Sequence, residues 1–209
     1  MIKDPYRRTA NFYDRLFEPM NKGLRSLGLH MFPPVPDMKI LDVGCGTGVH
    51  LEMYRKYGCE LYGIDTSPSM LSVARARLGK DADLRLGEAT EMPFENDLFD
   101  LIVCMLVLHE MDQGARTSAI GEMRRVLKPD GSMLMIDFHA GRVQPLKGWW
   151  TKLIIFLSEV AAGQRHFRNY RHFMSIRGLT TLIEDSRLGV NERKVVGGGA
   201  LVLYLLRCG

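Results

Sequence analysis

The sequence predicts an α/β fold, a doubly wound and mostly parallel sheet, as one domain over residues 1–209. Three observations predict it. From residue 39 to 138, short apolar runs alternate with longer amphipathic stretches, the pattern of a parallel sheet wound by crossover helices. Phe99-Asp100-Leu101-Ile102-Val103-Cys104 and Ser132 to Phe138 are apolar almost throughout, as strands covered on both faces are. In Leu41-Asp42-Val43-Gly44-Cys45-Gly46-Thr47-Gly48 an apolar strand runs at once into a glycine turn and then a helix, which opens a nucleotide-binding βαβ unit.

Bulk composition narrows the class. Hydrophobic residues make up 46% and charged residues 25%, ordinary values for a folded globular chain. The net charge of +4 comes from scattered basic residues, which argues against a dedicated nucleic-acid binder but leaves an anionic substrate open. Cys45, Cys59, Cys104 and Cys208 show neither C-x-x-C nor a His-linked zinc spacing, so reduced thiols and no metal are expected. Lys3, Asp4, Arg7 and Arg8 crowd the start, unlike a secretory leader, and a cytoplasmic location is expected.

The elements follow in order. Residues 5–29 carry Tyr6, Phe12, Tyr13, Leu16, Phe17, Met20, Leu24 and Leu27 at helical spacing. Pro19 and Gly23 interrupt them, which predicts two short helices. Pro33-Pro34-Val35-Pro36 is a stiff connector. The segment 1–36 is either a lid over a ligand cleft or a surface helix burying one face.

Ile40 to Val43 is the first strand. Its turn needs glycine because the chain reverses sharply and a ligand must approach bare backbone. The pattern is G-x-G-x-G, with Val49 standing where a dinucleotide fingerprint has its last glycine. Val49 to Tyr57 is a helix, and Glu60 to Ile64 a second strand ending at Asp65. A carboxylate at that distance from the turn accepts ribose hydroxyls in nucleotide-binding βαβ folds. Ser67-Pro68 already caps the next helix, which leaves Asp65 for a ligand.

Asp83 to Leu86 is the third strand. The helix from about Gly114 to Leu127 stops at Lys128-Pro129-Asp130-Gly131. Leu146 to Ala162 is the most lipophilic stretch, yet too short and too charged for the ~20 apolar residues of a spanning helix. A basic aromatic run, Gln164 to His172, follows it. This part of the insertion 140–190 either packs on the sheet with a solvated basic face, lines a lipophilic pocket, or lies on a membrane surface. Val195 to Leu206, with Gly197-Gly198-Gly199 between its arms, reads as a final antiparallel hairpin.

With five parallel strands and a hairpin laid out, the chain resembles the class I S-adenosylmethionine-dependent methyltransferases. It looks most like the small-molecule branch of ubiquinone/menaquinone-biosynthesis and phospholipid enzymes. The resemblance runs from about Lys39 to Phe138 and rests on an ordered set of segments. These are Leu41–Gly48, Gly63–Leu71, Gly87–Phe94, Phe99–Val103 and Arg125–Gly131. It implies a Rossmann-like, seven-stranded methyltransferase fold with S-adenosylmethionine as cofactor and a small, lipophilic methyl acceptor. Asp42 would face the methionine ammonium. Gly44, Cys45, Gly46 and Gly48 would form the turn beneath the cofactor, Asp65 would take the ribose hydroxyls, and Thr66 and Met70 would lie near the adenine. Glu88-Ala89 stands where the family has Asp-Ala reading the adenine, so Glu88 is a departure by one methylene.

Methyl transfer needs the acceptor held in line with the S–CH₃ bond, and such alignment supplies ~7–11 kcal/mol in favourable cases. For a hydroxyl acceptor a base helps, and His109, after the fourth strand, is either the catalytic candidate or a residue that orients a loop or lines the cleft, with Glu110 either its partner or a group that attracts a cationic amine. Asp137 and His139 are weaker candidates. Tyr13, in a Tyr-Asp pair like one in many relatives, would close over the methyl group. The competing readings are an NAD-dependent oxidoreductase, a nucleic-acid methyltransferase and a cofactor-binding protein without catalysis. Val49 and the hairpin disfavour the first. The second lacks its Asn/Asp-Pro-Pro-aromatic motif at Val107 to Met111. Oligomeric state is open.

Overall fold

A seven-stranded sheet runs through the computed structural model, which describes residues 4, 6–7, 9–186 and 188–207, the side chains of residues 16, 147 and 161 aside. Lys3, Pro5, Arg8 and Cys208 lie outside the described residues. The elements are α1 (Ala10–Met31), β1 (Lys39–Val43), α2 (Val49–Arg55), β2 (Glu60–Asp65), α3 (Pro68–Leu78), β3 (Ala82–Leu86) and β4 (Phe99–Met105). After a 3-10 turn at Leu108–Glu110 come α4 (Gln113–Val126), β5 (Leu127–Phe138), α5 (Lys147–Ala161), α6 (Gln164–Ser175), α7 (Leu179–Ser186), β6 (Gly189–Val196) and β7 (Leu201–Arg207).

Strand order is β3-β2-β1-β4-β5-β7-β6. β1 to β5 pair in parallel. β7 is antiparallel to both β5 and β6, so β6 runs with the first five. The α/β class and the C-terminal hairpin are as the sequence predicts, except that the hairpin's first arm begins at Gly189 rather than Val195.

Alternation along the strands divides the core between two faces. Ile40, Leu101, Val103, Leu134 and Ile136 point to one side, where α1, α2 and α3 bring Leu24, Leu29, Leu51, Tyr54, Leu71 and Leu78. Leu41, Val43, Ile102, Met133 and Met135 point to the other, against Ala119, Ile120 and Met123 of α4 and Leu182 and Ile183 of α7. Strand order reverses between β1 and β4, and the crevice beyond their C-terminal ends is where such sheets take ligands.

Two expectations are corrected. The N-terminal segment is one helix, α1, with Pro19 inside it. Proline removes a single hydrogen bond, while Leu24, Leu29 and Met31 bury a continuous stripe on the sheet. Gly28 permits that approach, since a Cβ there would lie 2.6 Å from Leu134 Cδ2. α4 does stop at Val126, before Lys128–Gly131, but the fifth strand begins at Leu127 rather than Ser132, and Lys128–Gly131 are a register irregularity within it. Pairing starts at Phe99↔Leu127 and resumes at Leu101↔Ser132, and Lys128 Nζ donates to Asp100 Oδ1 at 2.6 Å.

The stretch 140–190 forms α5, α6 and α7. On α5, Ile155 and Glu159 are buried, whereas Trp149, Trp150, Leu153, Ile154, Phe156, Leu157 and Val160 are exposed. Among the described residues no helix is long and apolar enough to cross a membrane. Cys45, Cys59 and Cys104 are free thiols.

Candidate active site

Backbone turns at the strand ends build a cavity of about 920 Å³, roofed by α1 and by the corner between α5 and α6. Its floor is the turn after β1. Gly44 (φ +72°) lets the chain pass under Val107, whose Cγ2 would lie 2.4 Å from a Cβ. Gly46 (φ +52°) has no protein atom within 4 Å of where its Cβ would be, and it lines the cavity. A side chain there would fill the space a ligand needs. Gly48 does not line the cavity. It starts α2 in a left-handed conformation and packs against Leu78 and Ala74 of α3. Cys45 is buried in the floor, and that burial pushes its thiol well above the ordinary range.

Asp65, at the end of β2, accepts from the backbone N–H of Gly46 (2.8 Å) and of Ser67 (2.8 Å). Ser67 Oγ caps α3 by accepting from Met70 N at 3.1 Å, as the sequence predicts. Burial raises Asp65, against the pull of these N–H donors. Asp42 is 4% exposed; burial pushes it up to about 7, with Arg25 opposing and Asp65 assisting.

Arg25 reaches in from α1. Its guanidinium pairs with Glu18, while Nε is buried without a hydrogen-bond partner. α1 is held over the turn by Asp14, which accepts from Thr47 Oγ1 (2.5 Å) and Arg77 Nη2 (2.6 Å). Met70 and Ala89 are buried in the cavity wall, and Thr66 and Glu88 stand exposed at its rim. Glu88 accepts from Thr90 Oγ1 at 3.3 Å. His50 also lines the cavity, and burial holds it neutral by depressing its pKa to about 3.

Tyr13 lines the cavity, edge-on to Tyr6 at 5.9 Å, and burial beside Glu110 pushes it up to about 12. Tyr6 Oη donates to Glu110 Oε1 at 3.3 Å. Glu110 opens on the cavity. Enclosure by protein pushes it up to about 7, with His109 opposing and Glu159 and Asp137 assisting.

His109 does not line the cavity, contrary to its expected placement there. The 3-10 turn after β4 aims Glu110 outward and folds His109 back over β5. The imidazole is 3% exposed, with Nδ1 2.8 Å from Asp137 Oδ1 and Nε2 3.5 Å from Glu159 Oε1. Burial alone would lower its pKa, but Asp137, Glu159 and Glu110 outweigh it and raise it to about 10. Such an imidazole already holds its proton at neutral pH, the wrong state for a general base. His139 sits apart, against Gly199 O (3.0 Å) and Arg193 Nη2 (3.0 Å).

The arrangement can be tested against S-adenosylmethionine. A zwitterionic amino acid needs a carboxylate and a cation side by side, which Asp42 and Arg25 supply. A vicinal diol needs a carboxylate with free lone pairs, which Asp65 retains. The bare Gly46 backbone leaves room above it. The residues fit.

The family described as "methyltransferase domain" matches residues 41–135. Over those residues the chain is similar to that family. The chain is 31% identical to the demethylmenaquinone methyltransferase of Renibacterium salmoninarum over 58% of its own length and 50% of the relative's. It is 29% identical to the malonyl-[acyl-carrier protein] O-methyltransferase of Serratia marcescens, over 84% and 64%. The chain thus spans about half to two thirds of these relatives. A crystal structure of a SAM-dependent methyltransferase from Aquifex aeolicus shares its fold, with a TM-score of 0.65 and 19% identity over 94% and 97% of the two chains. These matches disfavour the oxidoreductase reading.

Sequence reasoning missed Asp4, Tyr6 and Arg25 as cavity residues, and Glu159, His166 and Arg116 around His109. Asp4 reaches Ser67 Oγ at 2.8 Å and Ser69 N at 3.0 Å. Arg116 is fully buried and donates to Leu108 O and Asn169 O, both at 2.8 Å. All six lie outside the glycine-turn motif, and a helical phase fixed at the buried Leu24 would have flagged its neighbour Arg25 alone.

Proposed function

We propose that this protein transfers a methyl group from S-adenosylmethionine to a small, lipophilic acceptor held in the cavity. The observation that carries the reading is the Asp42–Arg25–Asp65 set around the open backbone of Gly46. When bound, the cofactor supplies a methyl group activated by a sulfonium. Asp42 holds the ammonium and Arg25 the carboxylate. Asp65 takes the two ribose hydroxyls on its remaining lone pairs, and Gly44, Cys45 and Gly46 support the ligand from below. Thr66, Met70, Glu88 and Ala89 border the adenine. α1, pinned by Asp14, is the lid that excludes water, and α5 to α7 form the acceptor side.

On the acceptor side, Glu110 replaces His109 as the base. Its pKa of about 7 suits proton removal near neutral pH, and the Tyr6 hydroxyl holds it in place. Tyr13 closes over the reacting methyl group. Alignment remains the larger contribution, at ~7–11 kcal/mol in favourable systems.

One relative is named for demethylmenaquinone, and we take a quinone-like or lipid metabolite as the acceptor of this chain. Lipophilicity and peripheral membrane contact are supported by α5. Its exposed Trp149, Trp150, Leu153 and Leu157 lie in a segment, 140–178, with seven Lys and Arg against the single buried acid Glu159. The rest of the chain holds 21 Lys and Arg against 23 Asp and Glu. Free thiols agree with a cytoplasmic location.

The test is a turnover screen with isotopically labelled donor against phenolic, amine and lipid acceptors, alongside calorimetry with S-adenosylhomocysteine. Binding with turnover supports the reading. Binding with no turnover for any acceptor favours a non-catalytic cofactor protein, and no binding defeats both.

A further inference from the structure

We infer that His109, Glu159 and His166 form a binding site for one divalent cation of the zinc class in the wall of the cavity. Their ligating atoms all lie within 4.8 Å of one another. His109 Nε2 is 3.5 Å from Glu159 Oε1, and His166 Nε2 is 3.3 Å from Glu159 Oε2. Hydrogen bonds of this kind close to ~2.7–3.2 Å, so these pairs are long for direct bonding. They suit a shared ion, because ligands held ~2.0–2.1 Å from a tetrahedral zinc stand roughly 3.4 Å apart.

A second observation is independent of those spacings. Glu159 is 6% exposed, and its Oε2 has no hydrogen-bond partner. A buried carboxylate oxygen left unpaired is costly unless a cation answers it.

A third lies behind the imidazole. Asp137 Oδ1 sits 2.8 Å from His109 Nδ1, and Asp137 is itself fixed by the backbone N–H of His109 (3.2 Å) and of Phe138 (2.8 Å). A carboxylate on the far nitrogen orients a metal-bound histidine and sends its Nε2 to the ion. The ion takes the place of the proton that the surrounding carboxylates otherwise keep on the ring.

Two imidazoles and one carboxylate are a zinc-type donor set, softer than the all-oxygen shells of calcium or magnesium. Three protein ligands leave a fourth position. His166 lines the cavity, as does Glu110, whose Oε1 is 3.5 Å from His166 Nε2, so the open position faces the acceptor side. An oxygen of the methyl acceptor is the ligand assigned to it, a step that rests on the methyl-transfer reading; the ion site does not. The sequence hid the site because positions 109, 159 and 166 follow no metal-binding spacing and are joined by the α5–α6 corner.

The experiment strips the full chain with chelator and titrates it with Zn²⁺ by calorimetry and with Co²⁺ by visible absorption. The expected result is one ion per chain and the intense bands of four-coordinate cobalt. His166→Ala, at a partly accessible position, and Glu159→Gln should each weaken affinity by about a hundredfold or more, since even outer-shell changes cost ~10–100-fold. Circular dichroism checks that each variant is folded. No saturable binding overturns the inference, as does binding with unchanged affinity in folded His166→Ala. S-adenosylhomocysteine binding is measured on the same samples. Cofactor without zinc sinks the ion site alone, and zinc without cofactor sinks the methyl-transfer reading alone.

Discussion

Gly46 donates its backbone N–H to Asp65 Oδ2 at 2.8 Å, joining the glycine turn after β1 to the acidic end of β2. Ser67 N occupies the other oxygen. A carboxylate offers about four lone-pair positions, so two remain for ribose hydroxyls. In Asp65→Asn the amide group meets one of the two N–H donors with a donor of its own. S-adenosylhomocysteine affinity should fall roughly ten- to a hundredfold, the loss of ~1.5–3 kcal/mol in charge-assisted bonds. Calorimetry reads this directly, and unchanged affinity removes Asp65 from the ribose site.

Gly44 and Gly46 separate folding from binding. An alanine at Gly44 meets Val107 Cγ2 at 2.4 Å in a left-handed conformation. Strain of ~1–2 kcal/mol and overpacking of ~1–3 kcal/mol should both show in denaturant unfolding. Gly46→Ala meets no protein atom within 4 Å. It should cost only the strain, yet weaken S-adenosylhomocysteine at least tenfold. Unchanged S-adenosylhomocysteine affinity in folded Gly46→Ala would show that Gly46 does not face the cofactor.

The sheet was legible in the sequence because buried parallel strands are unbroken apolar runs and because glycine, Ser67 and Pro68 act locally. Asp42, Gly44, Cys45, Gly46, Asp65, Met70 and Ala89 meet in one cavity since all sit on or beside strand ends. What failed was non-local. Pro19 signals a break, but burial of Leu24 and Leu29 on the sheet outweighs one lost hydrogen bond. His109 and Glu110 are adjacent, and the phase of the 3-10 turn decides which faces the cavity. Arg25 and His166 reach the site from elements whose docking no local pattern encodes.

Asp42 gives the site a pH dependence. Burial raises it to about 7 from an ordinary 3.8, so the folded chain keeps a proton that the unfolded chain releases. Its ionisation therefore costs nothing below about pH 4, destabilises progressively as pH rises, and costs most above about pH 7. Asp42→Asn should raise the metal-free melting temperature at pH 8 and leave it unchanged near pH 4. An ammonium group needs the ionised carboxylate, so wild-type S-adenosylhomocysteine affinity should drop roughly tenfold per pH unit below 7. A flat affinity profile between about pH 5 and 8 would show that Asp42 does not meet the ammonium.

In the metal-free protein, His109 is the cation between Asp137 and Glu159. His109→Ala leaves two buried carboxylates uncompensated, and breaking such a pair costs ~3–5 kcal/mol. With a folded pKa of about 10 against an ordinary 6.5, the histidine's contribution is complete below about pH 6.5 and disappears as pH climbs through 10. Urea unfolding at neutral pH and at about pH 10 checks both statements. A His109→Ala penalty as large at pH 10 as at neutral pH would point to packing against Phe138, 4.4 Å away between ring centroids, rather than to charge.

α5 predicts where the protein meets a lipid surface. Trp149 is 67% and Trp150 64% exposed, and fully burying a large apolar side chain is worth ~1.5–3 kcal/mol. Basic residues near an anionic bilayer add ~1 kcal/mol each at low salt, and Arg142, Arg165, Arg168 and Arg171 are exposed on the same segment. Sedimentation with vesicles containing phosphatidylserine should therefore carry the protein down, and neutral vesicles should not. Tryptophan emission should shift to shorter wavelength on binding, and added salt should weaken the association. The double change Trp149→Ser with Trp150→Ser should reduce vesicle affinity by at least about tenfold, while leaving the unfolding transition in place because both side chains are already in solvent. If the wild type ignores anionic vesicles and instead forms a dimer that the same double change disperses, α5 covers a second copy of this chain and not a membrane.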